Sequence, residues 1–230
     1  GVISAGDTVA LGPVAEELEI PTIFTDGCTD HLFEVVDKKP KYVFRVTNIL
    51  SSDSVACMIA ASRTWPNMKR IAHIHPDYAF GRTQFAHAKL VSEKLYPGSE
   101  TVSENWPKLF SGDYTSHIAK IIAAKPDLLV VSLWGGDYIA FYKQALTFGL
   151  YDKMKVLSNI GFGIEPSAIG KDHPEGVLAG AHANYHFTYP PADQWPLNKQ
   201  FVERYHKRWN EYPNYAAEGA YTTLYLLKAA

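Results

Sequence analysis

Residues 70–91, RIAHIHPDYAFGRTQFAHAKLV, limit the possible folds more than any other stretch of this chain. A short apolar run, residues 71–74, stops at Pro76. A loop with two aromatic residues follows, Asp77-Tyr78-Ala79-Phe80-Gly81. Beyond it, Phe85, Ala88, Val91 and Leu95 recur at helical spacing, which predicts a helix over 84–95. Strand, tight connection and helix in that order are the unit of a doubly wound sheet, whose strand-end loops face ligands. Tyr78 and Phe80 on such a loop suggest a platform for a small molecule.

The unit recurs downstream. Residues 127–131, DLLVV, read as a strand buried on both faces, because no polar alternation marks a solvated side. The run ends at Ser132-Leu133-Trp134-Gly135-Gly136. Asp137 fits as the N-cap of a helix through Ile139, Tyr142, Ala145 and Leu146, with Gly149 as its stop. A second strand end thus delivers an aromatic, Trp134, into a glycine-rich loop.

The other segments keep the alternation. Val9, Val14, Ala15 and Leu18 mark a first helix, residues 21–24 a strand, and residues 25–30, TDGCTD, a loop. Strands are expected at 42–46, 101–102, 155–158 and 176–181. Helices are expected at 52–64, with Val55, Met58, Ile59 and Ser62 on one side, and at 198–209 and 214–229. Another opens at residues 113–116 and carries Ile118, Ile121 and Ile122. Strand alternating with helix predicts an α/β fold, mainly parallel sheets covered by helices on both faces. The proline-rich stretch 187–196, FTYPPADQWP, reads as a crossing between lobes.

Composition removes several classes of function. The 230 residues carry 22 basic and 24 acidic side chains without a Lys/Arg run, which speaks against a nucleic-acid surface. No apolar stretch approaches the roughly 20 residues of a membrane span. Cys28 and Cys57 lack metal-site spacing; two thiols are expected, with a disulfide left open. Among nine histidines, His73 and His75 alternate on a strand, and His182 and His186 are four apart. No Cys/His/acid cluster has ligand spacing, so neither metal nor cofactor is expected. No nucleophile motif or phosphate-cradling glycine loop is present, and an enzyme is not expected. The first residues read as the exit of a strand and the last lie inside an apolar periodic segment, so the chain is expected to be an internal piece of a longer protein.

The order of motifs resembles the type 1 periplasmic solute-binding proteins of the branched-chain amino acid ABC transporter family. The resemblance rests on Ile3-Ser4-Ala5-Gly6 before a helix ending Ala15-Glu16-Glu17, then Ile20-Pro21, Phe44-Arg45-Val46 and the Asp77–Gly81 loop. Asp113-Tyr114, residues 123–127 (AAKPD) and residues 142–149 complete it. It implies two lobes that close on a solute: residues 1–47 in the first lobe, 48–182 in the second, and 183–230 crossing the hinge and returning to the first. It also implies a periplasmic or extracellular protein, membrane permease subunits as partners, and a monomer.

The same resemblance implies site residues. The turn Ser4-Ala5-Gly6, with Gly27, Cys28 and Thr29, would hold a ligand carboxylate through N–H groups and hydroxyls. Phe80, with Tyr78 nearby, would form an aromatic lid, and Trp134 beside Gly135 a second aromatic wall. One departure matters. Amino-acid-binding members place a carboxylate after the 155–158 strand, where this chain has Asn159-Ile160-Gly161. An unpaired buried ammonium is costly. Either the ligand lacks an α-ammonium, or another acid such as Asp137 replaces the missing one. The first is favoured: a small carboxylate, aromatic or branched aliphatic. Binding of a branched-chain amino acid or amide, a sensing domain of a receptor or regulator, and a doubly wound enzyme are the alternatives.

Overall fold

The computed structural model describes residues 4–163, 165–182, 186 and 194–230. The chain divides into two compact units, residues 1–49 with 181–230, and residues 50–180.

In the first unit, α1 (Ala5–Glu17) leads into β1 (Thr22–Phe24), a π-helical turn (Leu32–Val36) and β2 (Val43–Arg45). β1 and β2 pair in parallel, Ile23 opposite Phe44. Their core is Ala15, Phe24, Leu32 and Val43, backed by Val9 and Phe33. α1 does not bury the face its larger apolar residues mark. Its buried residues are Ala5, Thr8, Gly12 and Ala15, whereas Val14 and Leu18 are 46% and 60% exposed. The reason is close packing. A Cβ on Gly12 would lie 2.6 Å from a Leu32 methyl, so only a small residue lets helix and turn approach. Leu11, Val14, Leu18 and Ile20 instead line an open apolar concavity beside β1. The Glu16 carboxylate binds the Lys41, Tyr42 and Val43 N–H groups (2.6–3.1 Å) and ties the end of α1 to the start of β2. Those bonds hold its pKa below the usual carboxylate value against the opposing effect of desolvation. The two closing helices of the chain, expected at 198–209 and 214–229, span Pro196–Trp209 and Tyr215–Ala229. The first starts early because proline suits the first helical position. The crossing at 187–196 lies mostly outside the described residues.

The second unit is a five-stranded sheet in the order β4-β3-β5-β6-β7, with every pairing parallel. The strands are β3 (Arg70–Ile74), β4 (Glu100–Asn105), β5 (Leu128–Val131), β6 (Lys155–Ser158) and β7 (Leu178–Ala179). Alternate residues of β5 enter two cores. Leu129 and Val131 pack with Ile118, Ile121, Tyr138 and Phe141 of α4 (Thr115–Ala123) and α5 (Gly135–Thr147). Leu128 and Val130 pack with Met58, Ala61 and Ala88 of α2 (Leu50–Thr64) and α3 (Ala79–Leu95). The sheet is thus covered on both faces, as the lack of polar alternation predicts.

Two helix starts and one helix face differ from expectation. α3 begins at Ala79, so Ala79, Phe80 and Gly81 form its first turn instead of a loop. Gly81 makes the early start possible: a Cβ there would sit 2.0 Å from the Pro76 carbonyl oxygen. α5 begins at Gly135 with Trp134 as N-cap, and Asp137 falls inside its first turn. α2 buries Leu50, Asp53, Ser54, Met58 and Ala61, so of the expected face only Met58 is fully covered. Gly149 does stop α5, in the left-handed conformation (φ 60°) that glycine tolerates. A short helix at Glu165–Ile169, α6, has no counterpart in the sequence reading.

Candidate ligand-binding site

The expected site residues fall at the start of α1 and after strands β1, β3, β5 and β6, and each unit presents its own group. In the first unit, Ser4 is the N-cap of α1. Its Oγ accepts from the Gly6 N–H (3.1 Å) and the Asp7 N–H (3.5 Å). Ala5 is buried. The loop after β1 lies against this turn. Gly27 has φ +70°, and a Cβ on it would be 2.0 Å from Thr8 Oγ1 and 3.3 Å from the Ser4 carbonyl oxygen. The Ser4–Gly6 turn and the Gly27–Thr29 loop are therefore neighbours, and only glycine permits their approach. Thr29 is buried, and its Oγ1 accepts from the His31 N–H (3.2 Å). A hydroxyl that accepts one bond keeps its proton to give. The Ser4 and Thr29 hydroxyls both serve as acceptors for backbone N–H groups and each retains a proton.

The remaining neighbours of this loop set its charge. Arg45, at the end of β2, donates to the Thr29 carbonyl oxygen (2.6 Å) and lies over the Phe33 ring (4.6 Å). Burial lowers its pKa, opposed first by the nearby Asp30 carboxylate. Asp26 and Asp30 are both buried, and Asp26 Oδ1 accepts from the Gly27 N–H (2.8 Å). Cys28 is buried with its Sγ 3.6 Å from Nδ1 of His182. Both cysteines are free thiols.

In the second unit, Tyr78 is the N-cap of α3 and stacks on Phe80 (centroids 5.8 Å). The Trp134 indole N–H donates to the Tyr78 hydroxyl (3.2 Å). Phe80 is 3% exposed, while Tyr78 and Trp134 keep partial exposure. The structure therefore brings Tyr78, Phe80 and Trp134 into one aromatic group. A further aromatic joins them that the sequence reading missed: Phe110, 72% exposed, meets the Trp134 ring edge-on (6.2 Å). Its backbone is left-handed, φ 60°, a strained conformation for a bulky residue. Asp137 holds it there by accepting the Phe110 N–H at 2.9 Å. Nothing local in the sequence announces a bond between residues 27 positions apart.

Glu165 was also missed. Its two oxygens accept the Gly135 N–H (2.7 Å) and the Gly163 N–H (2.8 Å), and the residue is 3% exposed. This carboxylate occupies the N-terminus of α5, where a helix dipole favours negative charge. Ile160 is 4% exposed at the exit of β6. Asn159 beside it is fully buried, and its side chain donates to Gln84 Oε1 (3.1 Å) and Ser132 Oγ (3.2 Å), with Ser54 Oγ also within reach (3.4 Å). That hub joins α2, α3, β5 and β6 and fixes where the chain leaves the sheet.

Comparison with known proteins identifies the family and the fold. A family model described as periplasmic binding protein matches residues 1–230. No curated protein sequence matches the chain. Among solved structures, an amino acid ABC transporter substrate-binding protein from Pseudomonas fluorescens is 27% identical, with a TM-score of 0.69, over 79% of this chain and 47% of its own length. A solute-binding protein of an ABC transporter from R. palustris, in complex with 4-hydroxybenzoate, is 20% identical with a TM-score of 0.83, over 99% of this chain and 59% of its own. A leucine-binding protein from Thermotoga maritima is 21% identical with a TM-score of 0.78, over 99% of this chain and 61% of its own. The chain thus spans about half to three fifths of the length of the structures it resembles. It belongs to the periplasmic binding protein family, in the type 1 group that includes the branched-chain amino acid binders.

Proposed function

We propose that this chain is part of the solute-binding component of an ABC transporter, and that its solute is a small carboxylate with an aromatic or branched aliphatic body and no α-ammonium group. The carboxylate is received by the Ser4–Gly6 turn and the Gly27–Thr29 loop. The body is received by Tyr78, Phe80, Trp134 and Phe110. The protein binds and releases its solute unchanged, works in the periplasm or outside the cell, and delivers to membrane permease subunits.

The observation that carries the ligand class is the exit of β6. Ile160 supplies an apolar, buried side chain there. Of the unit's three buried carboxylates among the described residues, Asp53, Asp137 and Glu165, the two that follow β5 and β6 already serve the backbone, Asp137 at Phe110 and Glu165 at Gly135 and Gly163. Drawing either onto a ligand ammonium would strand those N–H groups, at about 1–3 kcal/mol each. The 4-hydroxybenzoate held by the R. palustris protein is a ligand of this class, and the leucine binder represents the competing one.

A thermal-shift screen of the full-length protein tests the proposal, because a ligand that binds only the folded state raises the melting temperature. Aromatic and branched aliphatic carboxylates should shift it, and mass spectrometry should recover them unchanged. Stabilisation by amino acids alone, or recovery of a reaction product, would overturn the proposal.

A further inference from the structure

In the first unit, Cys28 Sγ and His182 Nδ1 come within 3.6 Å although 154 positions apart. Both residues are more than nine-tenths buried. A tetrahedral zinc with ligands at about 2.3 Å to sulfur and about 2.05 Å to nitrogen sets an S···N edge of about 3.6 Å. The pair therefore already stands at the separation such an ion requires.

We propose that Cys28 and His182 form a binding site for a soft divalent cation of the zinc type, with the remaining coordination positions left to water or to an anionic ligand. The imidazole binds through Nδ1 and the sulfur as thiolate. Without metal, the sulfur and the ring nitrogen are hydrogen-bond neighbours. On binding, one metal–sulfur bond forms, the S–H bond breaks, and one proton passes to solvent.

The electrostatics of the loop support a cation. Asp26 and Asp30 are buried on either side of Cys28 in the sequence. Against them stands the half-buried Arg45, whose charge already bears on Asp30, Cys28 and Glu34. Carboxylates so placed favour a cation over an anion on this loop. The His182 ring is braced edge-on by Tyr215 (5.3 Å), which fixes its plane as supporting contacts do in metal sites. Cys57 offers the contrast: burial and the nearby Asp53 push its thiol up to about 12, which disfavours the thiolate a metal needs.

The site also removes a difficulty. A carboxylate arriving beside Asp26 and Asp30 meets like charge, and a divalent cation on the same loop reverses that. This consequence rests on the carboxylate reading above; the metal site does not.

Calorimetric titration of the metal-free protein with Zn2+, without solute, should show saturable one-to-one binding. Repeating it in buffers of different ionisation enthalpy should show release of one proton. Co2+ in place of Zn2+ should give a thiolate-to-cobalt absorption band in the near ultraviolet. Cys28→Ser should lose the band and the zinc binding, and His182→Gln should lose tight binding, each with the thermal transition of the metal-free protein retained. No zinc binding by the folded wild type, or unchanged binding in both variants, would overturn the proposal. Repeating the Zn2+ titration with 4-hydroxybenzoate tests the coupling separately: tighter zinc binding is expected if the carboxylate completes the shell.

Discussion

Acid should weaken the second unit through two buried histidines. His73 and His75 lie two apart on and just after β3, fully buried, with ring nitrogens 3.3 Å apart. Phe85 meets both rings edge-on, and Trp106 covers His75. Lys89 is the charge that bears on His73; Arg82, over the Trp106 face (3.7 Å), is ion-paired with Asp77, and Glu104 lies opposite His73 on β4. Burial first, and Lys89 second, pull His73 down to about 3; burial and His73 itself pull His75 well below its ordinary value. The sign follows from the folded values lying below the unfolded one. Both rings are neutral in the folded protein and charge on unfolding, so their stabilisation is full above an unfolded pKa of about 6.5 and falls as pH drops below it. Between pH 7 and pH 5 each ring costs about 1.9 kcal/mol, so the pair costs about 4 kcal/mol. That is a large share of the 5–15 kcal/mol typical of a domain. The assay is urea denaturation of wild type and of the double variant His73→Leu/His75→Leu at a series of pH values. Exposed carboxylates affect both proteins alike, so the difference between the two curves isolates the histidines. Wild-type stability should fall about 4 kcal/mol further than the variant's over that range. Parallel curves would refute the reasoning.

Three further outcomes follow from the site geometry. In the proposed clamp the Thr29 hydroxyl donates to the ligand carboxylate, a bond of about 1.5–3 kcal/mol, so calorimetry should show Thr29→Val lowering affinity roughly 10- to 150-fold while Thr29→Ser stays near wild type. Glu165→Gln replaces a charged acceptor at the Gly135 and Gly163 N–H groups and should cost about 1.5–3 kcal/mol in denaturant-measured stability. Gly27→Ala puts a methyl 2.0 Å from Thr8 Oγ1 at a left-handed φ, and should lower both stability and affinity by calorimetry and thermal melting, with Gly27→Asn also impaired.

Local pattern made the sheet of the second unit legible. Residues 71–74 and 128–131 are apolar runs that become β3 and β5, and the Gly149 stop is a property of one residue. Helix starts were harder to read, because distant groups decide them. Glu165 caps Gly135 from 30 positions away, and Gly81 lets α3 begin early by meeting the Pro76 carbonyl. The buried face of α1 was hidden for another reason: it is chosen by small residues that permit contact, and the larger apolar residues point into an open concavity. The candidate aromatics Tyr78, Phe80 and Trp134 could be named from their place after strands. Phe110 could not, since only the Asp137 bond to its N–H shows why an exposed aromatic is held in a strained turn.

The most direct measurement compares each amino acid with its deaminated analogue on the full-length protein: leucine against 4-methylpentanoate, and phenylalanine against 3-phenylpropanoate, by calorimetry. Ile160 offers no partner to an ammonium group, and burying one unpaired should cost several kcal/mol. The carboxylate should therefore bind more than about tenfold tighter than the amino acid of the same shape. Ile160→Glu should narrow or invert that preference. Tighter binding of leucine than of 4-methylpentanoate by the wild-type protein would contradict the account.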